Sequence, residues 1–239
     1  MNDLNFKQRY ARQISIPEIG KEGQHKLSES KVLIIGCGAL GSMVAMQLSG
    51  AGIGELGIAD YDNIEVSNLQ RQFFFKSDEC GRSKSDILSD RIKELNPSVK
   101  VTNYNQFITK PKAEELFVLY DIIIDATDNP DSKRLIDEIA LKHKKPCIIG
   151  GVKDFSGQVI TLLPTDMRFE EYFGKASQEA FMPCSLGGVI GPAAALCASV
   201  QASEAIKCLL GIGKLLSGRL FVFNLLTANF SVFSLFSPE

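Results

Sequence analysis

The sequence lacks a long apolar segment near its N-terminus. Residues 1–7, MNDLNFK, are polar, and no signal peptide is expected because such a leader needs an apolar core. The longest stretch with little charge, Val189–Val200, is too short to span a bilayer and continues into Gln201 and Glu204. We therefore expect a buried helix there and no membrane segment.

An excess of positive charge is also missing. Lysine and arginine number 26 and aspartate and glutamate number 28, which gives a net charge of -2. Because non-specific nucleic-acid binding depends on cations that neutralise phosphates, this balance argues against a nucleic-acid partner. Six cysteines in 239 residues, without a leader, favour reduced thiols and a cytoplasmic location.

What is present is typical of a single α/β domain covering residues 1–239, with 45% hydrophobic residues to form a core. Apolar runs alternate with helical spacings, which predicts a Rossmann-like, mostly parallel sheet with helices on both faces. The predicted elements are strand 32–35, helix 40–51, strand 54–60, helix 83–95, strand 100–106, strand 121–126, helix 130–144 and strand 146–150. In helix 83–95 the residues expected to face inward are Ile87, Leu88, Ile92 and Leu95.

The two ends of the chain have a different character. The opening is polar, with breaks expected at Gly20 and Gly23. After residue 150 the sequence predicts strand 158–163, an irregular segment 165–183, helix 192–210 and a hairpin 219–236. We expect the C-terminal strands to extend the sheet in antiparallel fashion.

A glycine turn follows the first predicted strand. The spacing Gly36-x-Gly38-x-x-Gly41 joins that strand to a helix, and Asp60 ends the next strand about 20 residues on. Such a turn places backbone N–H groups and a helix N-terminus where phosphates can bind. The pattern alone does not distinguish NAD, FAD and ATP.

The residues after the second strand favour a triphosphate. The loop "DYDNIEVSNLQRQ" contains Arg71, and Lys84 follows in "GRSKSD". Guanidinium groups bind phosphate oxygens in bidentate fashion and ammonium groups act as point charges. Asp128 and Asn129 end the fourth strand, at the edge where open α/β sheets bind ligands, and a carboxylate there could hold Mg²⁺.

These motifs resemble those of the ubiquitin-activating-type adenylyltransferases, the ThiF, MoeB and HesA group. The matching segments "RYARQI", "GCGALGS", "DYDNIEVSNLQRQ", "GRSKSD", "IDATDN" and "GGVIGP…QASEAIK" occur in the family's order and cover the chain from Arg9 to about Phe236. The resemblance implies an enzyme that uses ATP and Mg²⁺ to adenylate the C-terminal glycine of a ubiquitin-like sulfur carrier protein. Pyrophosphate is the other product.

The resemblance also assigns roles. Asp60 would bind the ribose hydroxyls; Asn68, Arg71 and Lys84 would contact the triphosphate; Asp128 would organise the metal and the reacting phosphate. For Asp62 and Gln72, hydrogen bonding within the loop is an alternative. The implied ATP-binding residues are Gly36, Gly38, Ala39, Gly41, Asp60, Asp62, Ser67, Asn68, Leu69, Gln70, Arg71, Gln72, Lys84, Asp128 and Asn129.

Arg12, in "RYARQI", matches a family arginine that reaches the γ-phosphate in the neighbouring subunit. The match implies a homodimer with shared sites, to which an N-terminal helical extension, residues 1–30, would contribute. The alternative is a surface arginine that pairs with Glu18 or Glu22.

The cysteines predict no zinc site. Many relatives bind Zn²⁺ through two C-x-x-C pairs, whereas no two cysteines here lie three residues apart. Cys37, Cys147, Cys197 and Cys208 fall in apolar patterns and are expected in the core.

Cys184, in "FMPCSLGGVIGP", lies in a segment expected to be a mobile crossover, 165–187. In ThiF-like members a cysteine at this point links to the carrier's C-terminus during sulfur transfer, with a cysteine desulfurase or rhodanese-type protein as sulfur donor. The alternative is a loop thiol without a role.

The implied reaction needs no general base, because the carrier's carboxylate is already a nucleophile at neutral pH. That agrees with the absence of a Ser/His/Asp set, and neither His25 nor His143 is assigned a role. The competing classes are an NAD-dependent oxidoreductase, a tRNA threonylcarbamoyladenosine dehydratase and a non-catalytic scaffold. Thiamine (thiazole) and molybdopterin pathways both remain open, with Cys184 favouring thiamine.

Overall fold

The computed structural model describes residues 3–166, 169–173 and 188–235. The strands of this part are β1 Lys31–Ile35, β2 Glu55–Ala59, β3 Lys100–Tyr104, β4 Ile122–Asp125, β5 Cys147–Lys153, β6 Ser156–Leu162, β7 Arg219–Asn224 and β8 Asn229–Ser234. The helices are α1 Asp3–Ile14, α2 Gly20–Glu29, α3 Ala39–Ala51, α4 Lys84–Leu95, α5 Lys110–Phe117, α6 Pro130–Lys142, α7 Phe169–Phe173 and α8 Gly191–Leu210.

All eight strands form one sheet in the order β3-β2-β1-β4-β5-β6-β7-β8. The pairs among β3, β2, β1, β4 and β5 are parallel, and those from β5 to β8 are antiparallel. The predicted fold class, a Rossmann-like sheet extended by antiparallel strands, is therefore confirmed. Between β1 and β4 the strand order reverses, and open α/β sheets bind ligands at this switch point.

The buried strands explain why helices cover both faces. In β1, Val32 and Ile34 point into one hydrophobic cluster, which contains apolar residues of α3, α4 and α8. Leu33 and Ile35 point into the opposite cluster, which contains residues of α5, α6 and α7. Because successive side chains of a strand alternate between faces, a continuous apolar run indicates a strand covered on both sides.

Some predicted details are wrong. Gly23 is no break, because α2 continues through it. Leu95 is 40% exposed, since it ends α4 where the chain turns at Asn96. The short helix α5 was not expected, and α7 lies in the segment predicted to be irregular. Residues 167–168 and 174–187 of the predicted crossover, 165–187, lie outside the described residues.

The low-charge helix α8 is a core element. By length and composition alone its 20 residues could cross a membrane, yet half of its most apolar window is buried in the protein. Gln201 donates to the carbonyl groups of Asp125 and Ile148, and the buried Glu204 accepts from Thr161. These contacts fix α8 against the sheet.

Most of the predicted core cysteines are buried. Cys37, Cys147 and Cys197 are inaccessible, and Cys208 is partly buried against the core. Burial raises the pKa of the thiols of Cys37, Cys147 and Cys208. A raised pKa keeps them protonated and unreactive at neutral pH.

Candidate active site

A cavity of about 670 Å³ lies at the carboxyl ends of β1 and β4. This is the switch point of the sheet, where the fold leaves a crevice. Twelve of the residues predicted from the sequence line it: Gly36, Gly38, Ala39, Asp60, Asp62, Ser67, Asn68, Arg71, Gln72, Lys84, Asp128 and Asn129.

The glycine turn forms one wall of the cavity. Gly36 has φ +94°, and a Cβ there would lie 2.7 Å from the carbonyl oxygen of Ala126. A Cβ on Gly41 would lie 1.7 Å from the carbonyl oxygen of Gly36, so α3 can start this close to β1 only with glycine. No acidic residue occupies the first turn of α3 and no side chain caps it. Its N-terminal N–H groups suit an anion such as phosphate.

Asp60 connects the glycine turn to the loop after β2. Its carboxylate accepts hydrogen bonds from the backbone N–H groups of Cys37 and of Asp62, the latter at 2.8 Å. Burial raises the pKa of Asp60, and these two N–H groups and the charge of Lys84 oppose that rise. A carboxylate oxygen has more than one lone pair, so Asp60 can still accept from a hydroxyl group.

In the loop after β2, protein contacts orient the polar side chains. Lys84 is buried, and its Nζ lies 2.9 Å from Oδ2 of Asp62. Nη1 of Arg71 donates to the carbonyl oxygen of Ser67 at 2.9 Å. Oδ1 of the buried Asn68 accepts from a backbone N–H in the same loop. The cations therefore face the cavity in fixed positions.

Gln72 carries a polar atom that needs a partner. The side chain is buried beside Gly38, and its Oε1 has no hydrogen-bond partner among the described residues. A buried acceptor without a partner costs free energy, roughly 1–3 kcal/mol. Since Gln72 lines the cavity, a hydroxyl or amino group of a ligand could supply the missing hydrogen bond.

The loop after β4 brings Asp128 to the cavity. Asp125, fully buried, accepts from the N–H and the Oγ1 of Thr127 at 2.8 and 2.6 Å. Asn129 caps α6, with Oδ1 accepting from the N–H of Ser132 at 2.8 Å. Asp128 itself is exposed and makes no side-chain hydrogen bond or ion pair within the described residues.

A metal would need this carboxylate together with ligand oxygens. The described residues include no group of three or more His, Cys, Asp or Glu side chains that could hold a metal ion alone. Mg²⁺ commonly binds through one or two carboxylates plus substrate phosphates, and keeps several waters. The exposed carboxylate of Asp128 at the cavity fits that mode.

Other predicted residues lie away from the cavity. Gly41 shapes the turn without lining the cavity, Leu69 packs against the core, and Gln70 donates to the carbonyl of Val189. Arg12 is exposed on α1 and forms no ion pair with Glu18, Glu22 or any other described acid. Cys184 lies outside the described residues, so its role stays a prediction.

The cavity also contains residues that were not predicted. Lys133 is 2% exposed and lines it from α6. Tyr61 and Phe107 also line the cavity, with their rings edge to face and 5.3 Å between centroids. An acid ending an apolar strand, as Asp125 does, must find a buried partner, and that signal could have pointed to Lys133.

Fold and site together define an α/β nucleotide-binding protein, in which a glycine turn, the cations of Arg71 and Lys84 and the carboxylate of Asp128 line one cavity. The chain belongs to the ThiF family, whose profile matches residues 10–239.

Named relatives agree with this membership. A Thermus thermophilus protein named sulfur carrier protein adenylyltransferase is 36% identical over 93% of this chain and 84% of its own. An Escherichia coli protein named sulfur carrier protein ThiS adenylyltransferase is 37% identical over 89% and 84%. A probable molybdopterin-synthase adenylyltransferase of Gracilaria tenuistipitata is 34% identical over 98% of this chain, which spans 66% of that relative. The solved E. coli MccB with ATP shares the fold, with a TM-score of 0.81 at 22% identity over 98% of this chain and 72% of that one.

Proposed function

We propose that this protein is an adenylyltransferase that uses ATP and Mg²⁺ to adenylate the C-terminal glycine of a ubiquitin-like sulfur carrier protein. The observation that carries the proposal is the single cavity shared by the glycine turn, Arg71, Lys84 and Asp128. Arg71, Lys84 and the carboxylate of Asp128 suit a triphosphate with a bound metal ion better than the two phosphates of a dinucleotide. The names of the relatives supply the substrate class.

The chemistry is nucleotidyl transfer. The carrier's carboxylate attacks the α-phosphorus of ATP, the bond to the β-phosphate oxygen breaks, and pyrophosphate leaves with that electron pair. Arg71 and Lys84 neutralise the triphosphate, and Asp128 with phosphate oxygens would hold Mg²⁺, which supplies further positive charge. Positioning and charge stabilisation are sufficient because the nucleophile is already ionised.

For the pathway we propose thiazole formation in thiamine biosynthesis, with a molybdopterin carrier as the alternative. The support is Cys184, which matches the sulfur-transfer cysteine of ThiF-like members. Cys184→Ser is expected to leave adenylation unchanged and to stop sulfur delivery to the carrier, measured by thiocarboxylate formation with a cysteine desulfurase or rhodanese-type donor. Unchanged delivery would remove this role.

We also propose a homodimer in which Arg12 serves the partner's site. Arg12 does not line the cavity of its own chain, so a contact with the triphosphate requires a second subunit. If Arg12→Ala and Asp128→Ala are each inactive, mixed subunits should regain up to about a quarter of the wild-type activity. No recovery after confirmed subunit exchange would contradict the shared site.

The proposed function is tested by intact-protein mass spectrometry. Purified protein, ATP and Mg²⁺ are incubated with a thiamine-type carrier, a molybdopterin-type carrier or modified tRNA. A mass increase by one adenylyl group on one carrier confirms the activity and names the pathway. Turnover with tRNA alone identifies the dehydratase, and ATP binding without any product identifies a scaffold.

A further inference from the structure

Lys133 connects three parts of the chain beneath the loop after β4. Its Nζ donates to the carbonyl oxygen of Thr127 at 2.9 Å and to that of Gly150 at 2.8 Å. It also lies 3.3 Å from Oδ2 of Asp125. Both side chains of this ion pair are at most 2% exposed. The buried ammonium therefore joins α6, the end of β4 and β5.

The same contacts fix the backbone around Asp128. Thr127 is held on both sides, by Asp125 through its N–H and hydroxyl and by Lys133 through its carbonyl. Asn129 is held as the N-cap of α6. Between two anchored residues, only the side chain of Asp128 is left without a described partner.

We propose that Lys133 is a positioning residue for adenylation. By fixing Thr127–Asn129, it directs the carboxylate of Asp128 into the cavity, where it can meet Mg²⁺ and the phosphates. This inference rests on the function proposed above. Positioning errors of about 1 Å can lower a rate by up to about a hundredfold, so the effect of losing Lys133 should appear in kcat.

The test is a double-mutant cycle between Lys133→Gln and Asp128→Asn. Glutamine keeps N–H donors but loses the charge. We expect kcat for ATP–pyrophosphate exchange to fall about tenfold or more with the ATP KM changed less than about threefold. In the Asp128→Asn background the further loss should be below about threefold, because the group being positioned is already gone. Lys142→Gln, an exposed lysine on the same helix, is the control and should match the wild type.

Equal losses in both backgrounds would overturn the proposal and leave Lys133 a structural residue only. If Lys133→Gln does not fold, Lys133→Arg takes its place in the cycle. It retains the charge, but a larger planar group cannot replace one ammonium among these acceptors. We expect a smaller loss of kcat that also depends on Asp128, whereas wild-type rates would contradict the proposal.

A second readout separates this inference from the proposed function. This readout is the binding of Mn²⁺ to the complex of the protein with ATP, which electron paramagnetic resonance measures directly. The measurement needs no carrier protein. When residue 128 is aspartate, Lys133→Gln should weaken Mn²⁺ binding about tenfold. In the Asp128→Asn background the same substitution should change Mn²⁺ binding hardly at all. Coupling in Mn²⁺ binding without any carrier-dependent exchange would reject the function and keep the positioning role. Absence of coupling in Mn²⁺ binding would reject that role.

Discussion

The loops after β2 and after β4 both reach the cavity, but they present their charged groups differently. After β2, Lys84 is paired with Asp62 and Arg71 donates to the carbonyl of Ser67. After β4, the backbone is anchored by Asp125 and Lys133, while the carboxylate of Asp128 has no described partner.

From this difference we expect the loop after β2 to contribute mainly to ATP affinity and the loop after β4 mainly to the rate of the reaction. The cations after β2 already have protein partners, so binding phosphate exchanges one polar contact for another and each substitution should cost a limited amount of affinity. Asp128 has no such contact to exchange among the described residues. Its removal should therefore affect the reacting phosphates and the metal while leaving the fold intact.

Asp128→Ala gives the largest expected effect. We predict that ATP–pyrophosphate exchange falls at least about a hundredfold. Without Asp128 the Mg²⁺ ion would be poorly held, and the negative charge on the leaving pyrophosphate would no longer be neutralised. The melting temperature should stay within about 2 °C of the wild type, since the exposed side chain has no described partner. A loss of activity that is matched by a large fall in melting temperature would contradict the separation of binding from chemistry.

Gly41→Ala tests the glycine turn, in which α3 starts close to the end of β1. A Cβ at Gly41 would lie 1.7 Å from the carbonyl oxygen of Gly36 and 3.2 Å from Cβ of Ala126. We expect the melting temperature to fall at least about 5 °C, because overpacking shifts the backbone, and ATP affinity to fall about tenfold. Calorimetry measures both.

The matched control is Gly50→Ala on the same helix, where no atom lies within 4 Å of the new Cβ. Alanine is the better helix former by about 0.5–1 kcal/mol, so this variant should be as stable as the wild type or more so. Equal destabilisation by both variants would mean that the effect at Gly41 is not specific to the turn.

Lys84→Gln tests the role of the loop after β2 in ATP binding. A hydrogen bond to a charged group contributes about 1.5–3 kcal/mol, so the ATP KM should rise at least about tenfold while kcat changes less. Lys93→Gln, exposed on the same helix, should behave as the wild type. A larger loss of kcat than for Asp128→Ala would reverse the assigned roles.

The smallest effect concerns pH. Burial raises the pKa of Asp60, and we propose that its ionised carboxylate accepts the ribose hydroxyls of ATP. Nucleotide affinity should therefore decline on acidification at a higher pH than an exposed aspartate would give. Asp60→Asn should remove this dependence, as measured by titration calorimetry. A pH profile unchanged in that variant would assign the decline to another group.

The effect of Asp60 on folding stability depends on pH in the opposite direction to its effect on nucleotide affinity. Because the folded state holds this proton more tightly than the unfolded state, Asp60 favours folding more as the pH falls through its raised pKa. Lost affinity in this range is then not a sign of unfolding.

The sequence predicted the parallel core well because its strands are short apolar runs between clear turn signals. The family motifs also predicted Gly36, Asp60 and Lys84 as site residues, and all three line one cavity. The helix α5 was missed, since it has eight residues and a proline in its first turn. Such a short, mixed segment gives little periodicity to detect.

The contribution of Lys133 could not be predicted from local pattern. In the sequence it lies between Ser132 and Arg134, as a surface lysine would. Only the tertiary structure brings it under the loop after β4, against Asp125 and the carbonyl of Gly150. Leu69 and Gln70 are the reverse case, since they lie within the motif but not at the cavity.

The most direct test of the account is ATP–pyrophosphate exchange with an intact carrier and with the same carrier lacking its C-terminal Gly-Gly. We predict Mg²⁺-dependent exchange that requires the intact tail and collapses in Asp128→Ala. Exchange that proceeds equally well with the truncated carrier, or that survives in Asp128→Ala, would contradict carrier adenylation at this cavity.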